Sequence, residues 1–399
     1  MTIEIENGIF LPIAVLYRIM FFYEKIWNTT YIHDKFSLID RYYSNILHKT
    51  LVFGYNMITL KKITPIVFFL ILFIGAFLRM YHLGQIPPGV NRDEASIGYT
   101  AYSLLQTGRD EYGTFLPISF QSFGDWKLPL YIYETVVSVA IFGLHTFAIR
   151  IPSAIAGILL VILVYFLTKE LFKDKTLALV VMFFTAISPW SIHLSRVESE
   201  SNTAVTLVTA SVLTLLMSFK KKKWLIIISA MLLAISIGTY AANYIFLIVL
   251  ALGIFFIYRK EILKTCFGKA AIIIFILLSG LLWLKITQAS IVKISGIGIF
   301  SDPSIVHSKI ETPRNEHPPQ EKIFAKIIHN KAVFGIQRFI QNYLNAFSPD
   351  FLFIRGGGNH AHNIFEFGNM YLIDAPFMLL GILFLLSRKK NVSIYLVLW

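Results

Sequence analysis

The chain has 399 residues, 56% of them hydrophobic and only 15% charged, yet 36 Lys and Arg stand against 23 Asp and Glu for a formal net charge of +13. That composition, with a mean hydropathy of +0.66, excludes a disordered or ordinary soluble protein and indicates a polytopic α-helical membrane protein. No nucleic-acid module is present: the Lys and Arg residues gather in short loops beside apolar runs, where they set orientation and meet anionic lipid.

Residues 1–56 show no clear pattern, since the apolar stretch 8–23 is short and broken by Arg18. Met57 opens MITLKKITPIVFFLILF, a basic head before an apolar run, and this reads as the start of an uncleaved membrane anchor. Residues 1–56 are therefore expected to be an extension outside a functional core at 57–399. Runs approaching the ~20 apolar residues of a span lie near 63–79, 151–171, 176–195, 203–219, 224–240, 243–258, 269–287 and 370–387. A last run opens at Asn391 and stops at Trp399, so a C-terminal truncation is expected. The single Cys266 sits in a basic loop, and no internal disulfide is possible.

Basic loops accumulate on the cytoplasmic side, and five are found: Lys61-Lys62, Lys169 to Lys175, Lys220 to Lys223, Arg259 to Lys264, and Arg388 to Lys390. With all five inside, the outer face receives three stretches, 80–150, 196–202 and 288–369. The run 129–147 must then return to the outer side as an interfacial helix or shallow hairpin; if it spans, one basic loop is on the wrong side. Glu134, and the spacing of Ile97, Ala101, Leu104 and Leu105, fit two helices lying on the membrane surface. The expected fold is all-α, a polytopic transmembrane bundle whose first outer loop carries two membrane-surface helices.

Unusual polar residues fall in the three outer stretches. In the first, Arg92, Asp93, Glu94, Arg109, Asp110 and Glu111 crowd one loop. Asp93 reads either as the N-cap of a helix 94–106 ending at Gly108 or as an exposed general base above an apolar floor. Lys127 in GDWKLP reads as a snorkelling anchor or a phosphate contact, and position alone favours the anchor. In the second, Arg196, Glu198 and Glu200 sit between two apolar runs, as an i,i+4 pair at a solvated junction or as part of a site shared with Asp93. The third ends in Arg355-Gly356-Gly357-Gly358-Asn359-His360-Ala361-His362. Two His without a spaced third ligand are weak grounds for a metal, and a loop that hydrogen-bonds an anion fits better.

From Met57 onward the chain resembles the GT-C class of membrane glycosyltransferases, in the family 39 group of protein O-mannosyltransferases and lipid A aminoarabinose transferases. The resemblance rests on ordered blocks: FLRMYHLG, DEA at 93–95, GYTAYSLLQTGRDEYG, GDWKLPLYIY, Arg150-Ile151-Pro152-Ser153, SPWSIHLSR with Glu200-Ser201-Asn202, and AFSPDFLF followed by GGGNHAH. It implies an integral, multi-pass enzyme that moves mannose or another sugar from a polyprenyl-phosphate donor to a protein, lipid or glycan acceptor at the outer face. Under it Asp93 is the base with Glu94 beside it, and Glu200 is the second acidic position. Lys127 contacts the donor phosphate, in Lys-Leu-Pro where the family has Lys-Pro-Pro. His362 is the histidine of the late loop, with Arg196, His360 and Arg355 as further phosphate contacts, because Gly357 and Ala361 stand where Asp and Arg are usual. The resemblance makes no clear demand for a metal or other cofactor. A lipid or sugar transporter, which would place ionisable groups at mid-membrane, and a non-catalytic envelope scaffold are the alternatives.

Overall fold

A computed structural model of the protein describes residues 57–387, apart from 124, 221, 242, 298–302 and 358–365. The expected extension 1–56, the apolar run from Asn391, and both His360 and His362 lie outside the described residues. Two compact units divide between Pro65 and Ile66. Of the first, only the start of helix α1 (Met57–Met80) is described.

Among its described residues, the regular structure of the second unit is helical apart from a two-stranded hairpin. After α1 come α2 (Arg92–Thr107), strands β1 (Phe120–Ser122) and β2 (Asp125–Lys127), α3 (Pro129–Phe142), α4 (Thr146–Phe172), α5 (Lys175–Ile187), α6 (Pro189–Ser195), α7 (Glu200–Lys220), α8 (Leu225–Ile235), α9 (Asn243–Leu263) and α10 (Cys266–Ile297). The later part holds three short helices, α11 (Pro303–Val306), α12 (Thr312–Glu316) and α13 (Lys322–Ile328), then α14 (Lys331–Ala346) and α15 (Asp374–Ser387). The strands are antiparallel, with Phe120 opposite Lys127 and Ser122 opposite Asp125.

Among the described residues, α4 and α7 are long and apolar enough to cross a membrane. Helices α5 and α6 make a third candidate, bent by 57°. The bend has a local cause: Ser188 precedes Pro189 and takes ψ 126, outside the helical region that a following proline disfavours. The apolar run read from the sequence as a span at 224–240 is a shorter helix here, Leu225–Gly238. Helix α3 has 14 residues, about 21 Å at ~1.5 Å per residue, against a hydrocarbon core of ~30 Å.

The bundle has a polarity. Helices α4 and α7 run in the same direction, because Asn202 Nδ2 donates to Ser153 O (2.8 Å) near their N-termini and Lys220 pairs with Glu170 (3.1 Å) near their C-termini. Phe219 stacks on Tyr258, ring centroids 4.9 Å apart, so the basic stretch at the C-terminal end of α9 shares the end that carries Lys169 to Lys175 and Lys220 to Lys223. The DEA and ESN segments lie at the opposite end. Close packing there uses glycine: a Cβ on Gly157 would stand 2.0 Å from Ser195 Oγ, so α4 and α6 approach only because none is present.

Candidate functional site

Helix α2 is fixed by its ends. Asn91 is the N-cap and accepts from the Glu94 N–H (2.7 Å), while Glu94 reaches back to the Asn91 N–H (3.0 Å) in a capping box. Gly108 closes the other end at φ 68. This corrects the reading of Asp93 as the N-cap: Asn91 supplies the capping oxygen, and Asp93 sits in the first turn. Ile97, Ala101 and Leu104 are buried along the inner face, with Tyr131 and Ile132 of α3 in the cluster around Ile97 and Leu104. Leu105 faces outward.

The hairpin carries Lys127 back to this helix. Its Nζ donates to Asp93 Oδ1 at 2.9 Å and to the Asp93 carbonyl at 3.2 Å. The Lys127 side chain is 8% exposed and that of Asp93 37%. A snorkelling anchor would hold its ammonium in the headgroup layer; here the charge turns inward onto a carboxylate, and that reading is corrected. Ser96 and Ser122 hydroxyls, 2.7 Å apart, fasten α2 to the hairpin.

Glu94 is 1% exposed and fully engaged. Arg150 of α4 donates to it through Nε (2.6 Å) and Nη2 (3.0 Å), and the Glu198 N–H donates at 3.2 Å. The remaining Arg150 hydrogen bonds go to the carbonyls of Leu83, Pro87 and Gly89. The carboxylate expected to be catalytic is thus the hub of a buried bidentate pair that ties the first loop to α4.

The Arg196 guanidinium donates to the carbonyls of Leu78 (2.7 Å), Tyr81 (2.6 Å) and Ile86 (3.0 Å), and so braces the chain after α1. Arg79 does similar work, holding Thr185 O, Ala186 O and Ser191 Oγ across the α5–α6 bend. Asp110 accepts from the Tyr112 and Thr114 N–H groups and shapes a turn. Arg355 pairs with Asp350 at 3.3 Å on an exposed π-helical turn. Among the described residues, no group of three or more His, Cys, Asp or Glu stands so as to hold a metal ion.

A further carboxylate joins the site. Glu198 has its pKa pushed up to about 7, first by burial, then by the charges of Asp93 and Glu94, while Lys127 and the Glu200 backbone N–H pull it down. Glu200 is the first residue of α7. The Glu198 carboxylate feels the charges of Asp93 and Lys127. The signal available in the sequence was Ser199, whose hydroxyl accepts from the Asn202 N–H (3.3 Å) as an N-cap should and leaves Glu198 on the loop. Glu134 of α3 is likewise pushed up to about 7 by burial, against a hydrogen bond from Thr203.

The model of the family described as dolichyl-phosphate-mannose-protein mannosyltransferase matches residues 69–289, from α1 through most of α10. The chain belongs to this family. It is 29% identical over 173 residues to "Putative mannosyltransferase YkcB" and 28% identical over 219 residues to "Putative mannosyltransferase YycA", both of Bacillus subtilis (strain 168). These alignments cover 42% and 53% of this chain but 23% and 30% of the relatives, so the chain spans less than a third of either. Solved structures similar to it include ArnT from Cupriavidus metallidurans (TM-score 0.43, 14% identity, 59% of this chain and 43% of that one). Another is the Archaeoglobus fulgidus oligosaccharyltransferase (TM-score 0.49, 14% identity, 84% and 45%). Membership in the mannosyltransferase family, with the candidate spans, makes this a multi-pass membrane protein.

Proposed function

We propose that the chain carries the donor and base end of a membrane glycosyltransferase, which moves mannose or another hexose or pentose from a polyprenyl-phosphate carrier to an acceptor at the outer face. The observation that carries this is the Asp93–Lys127 contact of 2.9 Å, with Glu198 beside it, at the end of the bundle away from the basic loops. A carboxylate and an ammonium held together are the two groups that displacement at a sugar phosphate asks of a protein.

In the proposed reaction the donor phosphate draws Lys127 away and releases Asp93. The acceptor hydroxyl attacks the anomeric carbon and gives its proton to Asp93, a new glycosidic bond forms, and the sugar–phosphate C–O bond breaks. The electron pair leaves with the polyprenyl phosphate, whose charge Lys127 meets, and the configuration inverts. Glu94 and Arg150 hold the loop in place, and we assign Glu94 to positioning on that ground. Partly protonated near pH 7, Glu198 presents an O–H donor where a second ionised carboxylate would repel the phosphate. Placement at the outer face rests on the positive-inside rule applied to the basic end. A transporter reading is less well supported, since this charge cluster lies at one end of the described bundle and not midway along it.

The test is transfer of labelled sugar from polyprenyl-phosphate donor in membranes holding the whole protein. Asp93→Asn should lower turnover by ~10²- to 10⁴-fold, the range lost with a general base, in a protein that still folds and melts cooperatively. Normal transfer by that variant would remove Asp93 from the mechanism.

A further inference from the structure

The stretch between α10 and α15 contains an apolar surface that nothing in the described fold covers. Along α14, Ile336, Phe339, Ile340, Tyr343, Leu344 and the following Phe347 recur at i, i+3, i+4, i+7, i+8 and i+11, the pattern of one continuous helical face. Each is between 50% and 64% exposed, and no residue of α14 is buried. Phe339, Tyr343 and Phe347 touch in sequence along it, with centroids 6.3 and 5.1 Å apart. On α13, Ile323, Phe324 and Ile327 are exposed in the same way.

Two properties select the occupant. The opposite side of α14 carries Gln337, Arg338, Gln341, Asn342 and Asn345, and the helix is 16 residues long, about 24 Å at ~1.5 Å per residue. A polar side and that length exclude a span of the ~30 Å core. Charge is one-sided too: residues 322–346 contain Lys322, Lys326, Lys331 and Arg338 and no Asp or Glu. Apolar residues opposite a basic, acid-free polar side match the boundary between headgroups and acyl chains of an anionic bilayer. The segment is also tethered between two apolar helices, which keeps it at membrane height.

We propose that α13 and α14 form a membrane-surface anchor, with the Ile336–Phe347 face set into an anionic lipid surface and the four basic side chains at its phosphates. The proposal requires the bundle to be membrane-embedded but does not depend on the catalytic roles of Asp93 or Lys127.

The experiment uses the full chain in nanodiscs of phosphatidylcholine with phosphatidylglycerol. In a Cys266→Ser background, single cysteines replace Ile336, Ile340 or Tyr343 on the apolar face, and Arg338, Gln341 or Asn345 on the polar one. Each carries an environment-sensitive fluorophore and is challenged with doxyl-labelled lipid. Apolar-face probes should emit to the blue and lose intensity to the doxyl lipid, whereas polar-face probes should do neither. Replacing all four basic residues by Gln should reduce the quenching. Water-like emission on both faces, equal quenching on both faces, or blue emission that doxyl lipid does not quench would each overturn the proposal, the last by showing a protein covering. A failure here leaves sugar transfer untouched, so the two readings fall separately.

Discussion

Lys127 and Asp93 meet across 34 positions of sequence, and the residues that hold them there are more buried than they are. Glu94 and Arg150 are each 1% exposed, and a buried pair that loses one partner leaves an uncompensated charge. Arg150→Ala should therefore destabilise the protein by ~3–5 kcal/mol, read as a fall in the denaturation midpoint in detergent, and Arg150→Lys should recover only part because a bidentate fork is lost. Glu198 gives a pH dependence. Its pKa in the fold, about 7, is raised above the ordinary 4.5, so its contribution to stability is complete below about 4.5 and is lost as pH rises through about 7. Ionisation also sets a second negative charge beside Lys127, so the donor KM should climb above pH 7. Glu198→Gln should flatten both profiles, and an unchanged KM profile in that variant would remove Glu198 from the site. Asp93 and Lys127 were legible from their blocks, as was the sign of each charge. That Glu94 pairs with a buried arginine was not: two adjacent acids look alike in a sequence, and only the arrival of Arg150 from 56 positions away separates them.

At the scale of elements, the blocks that carried the family resemblance prove to be joints. Arg150 and Ser153 tie α4 to the first loop and to α7, Arg196 clamps the chain after α1, and Arg79 crosses to the α5–α6 bend. The helix periods and caps were readable because they are local: Gly108 ends α2 as its position suggests. The hairpin was not, since strands of three residues leave almost no alternation to detect. Nor was the shortness of Leu225–Gly238, because hydropathy measures apolar length and does not see where a helix ends inside it. The joint between α4 and α6 makes its own prediction. Gly157→Ala pushes a methyl group into Ser195 and within 3.0 Å of Arg79 Nε, which should cost about 1–3 kcal/mol as overpacking. Adding Ser195→Gly should restore most of the loss, measured as a double-mutant cycle on melting temperature.

For the molecule as a whole, the sequence contains one cysteine, Cys266, which is exposed at the start of α10 beside the basic stretch ending at Lys264. If the basic end faces the cytoplasm, a membrane-impermeant maleimide should label Cys266 in inverted vesicles and leave it unmodified in intact cells. Labelling in intact cells would turn the bundle over and place the Asp93 end inside. The Asp93–Lys127 contact also has a meaning in time. A base that rests against its own ammonium is unavailable to an acceptor that arrives before the donor, so on the proposed mechanism an enzyme without donor does not activate its acceptor. Turnover then follows a fixed order: the lipid phosphate engages Lys127 first, and only afterwards does the acceptor find a carboxylate ready to take its proton.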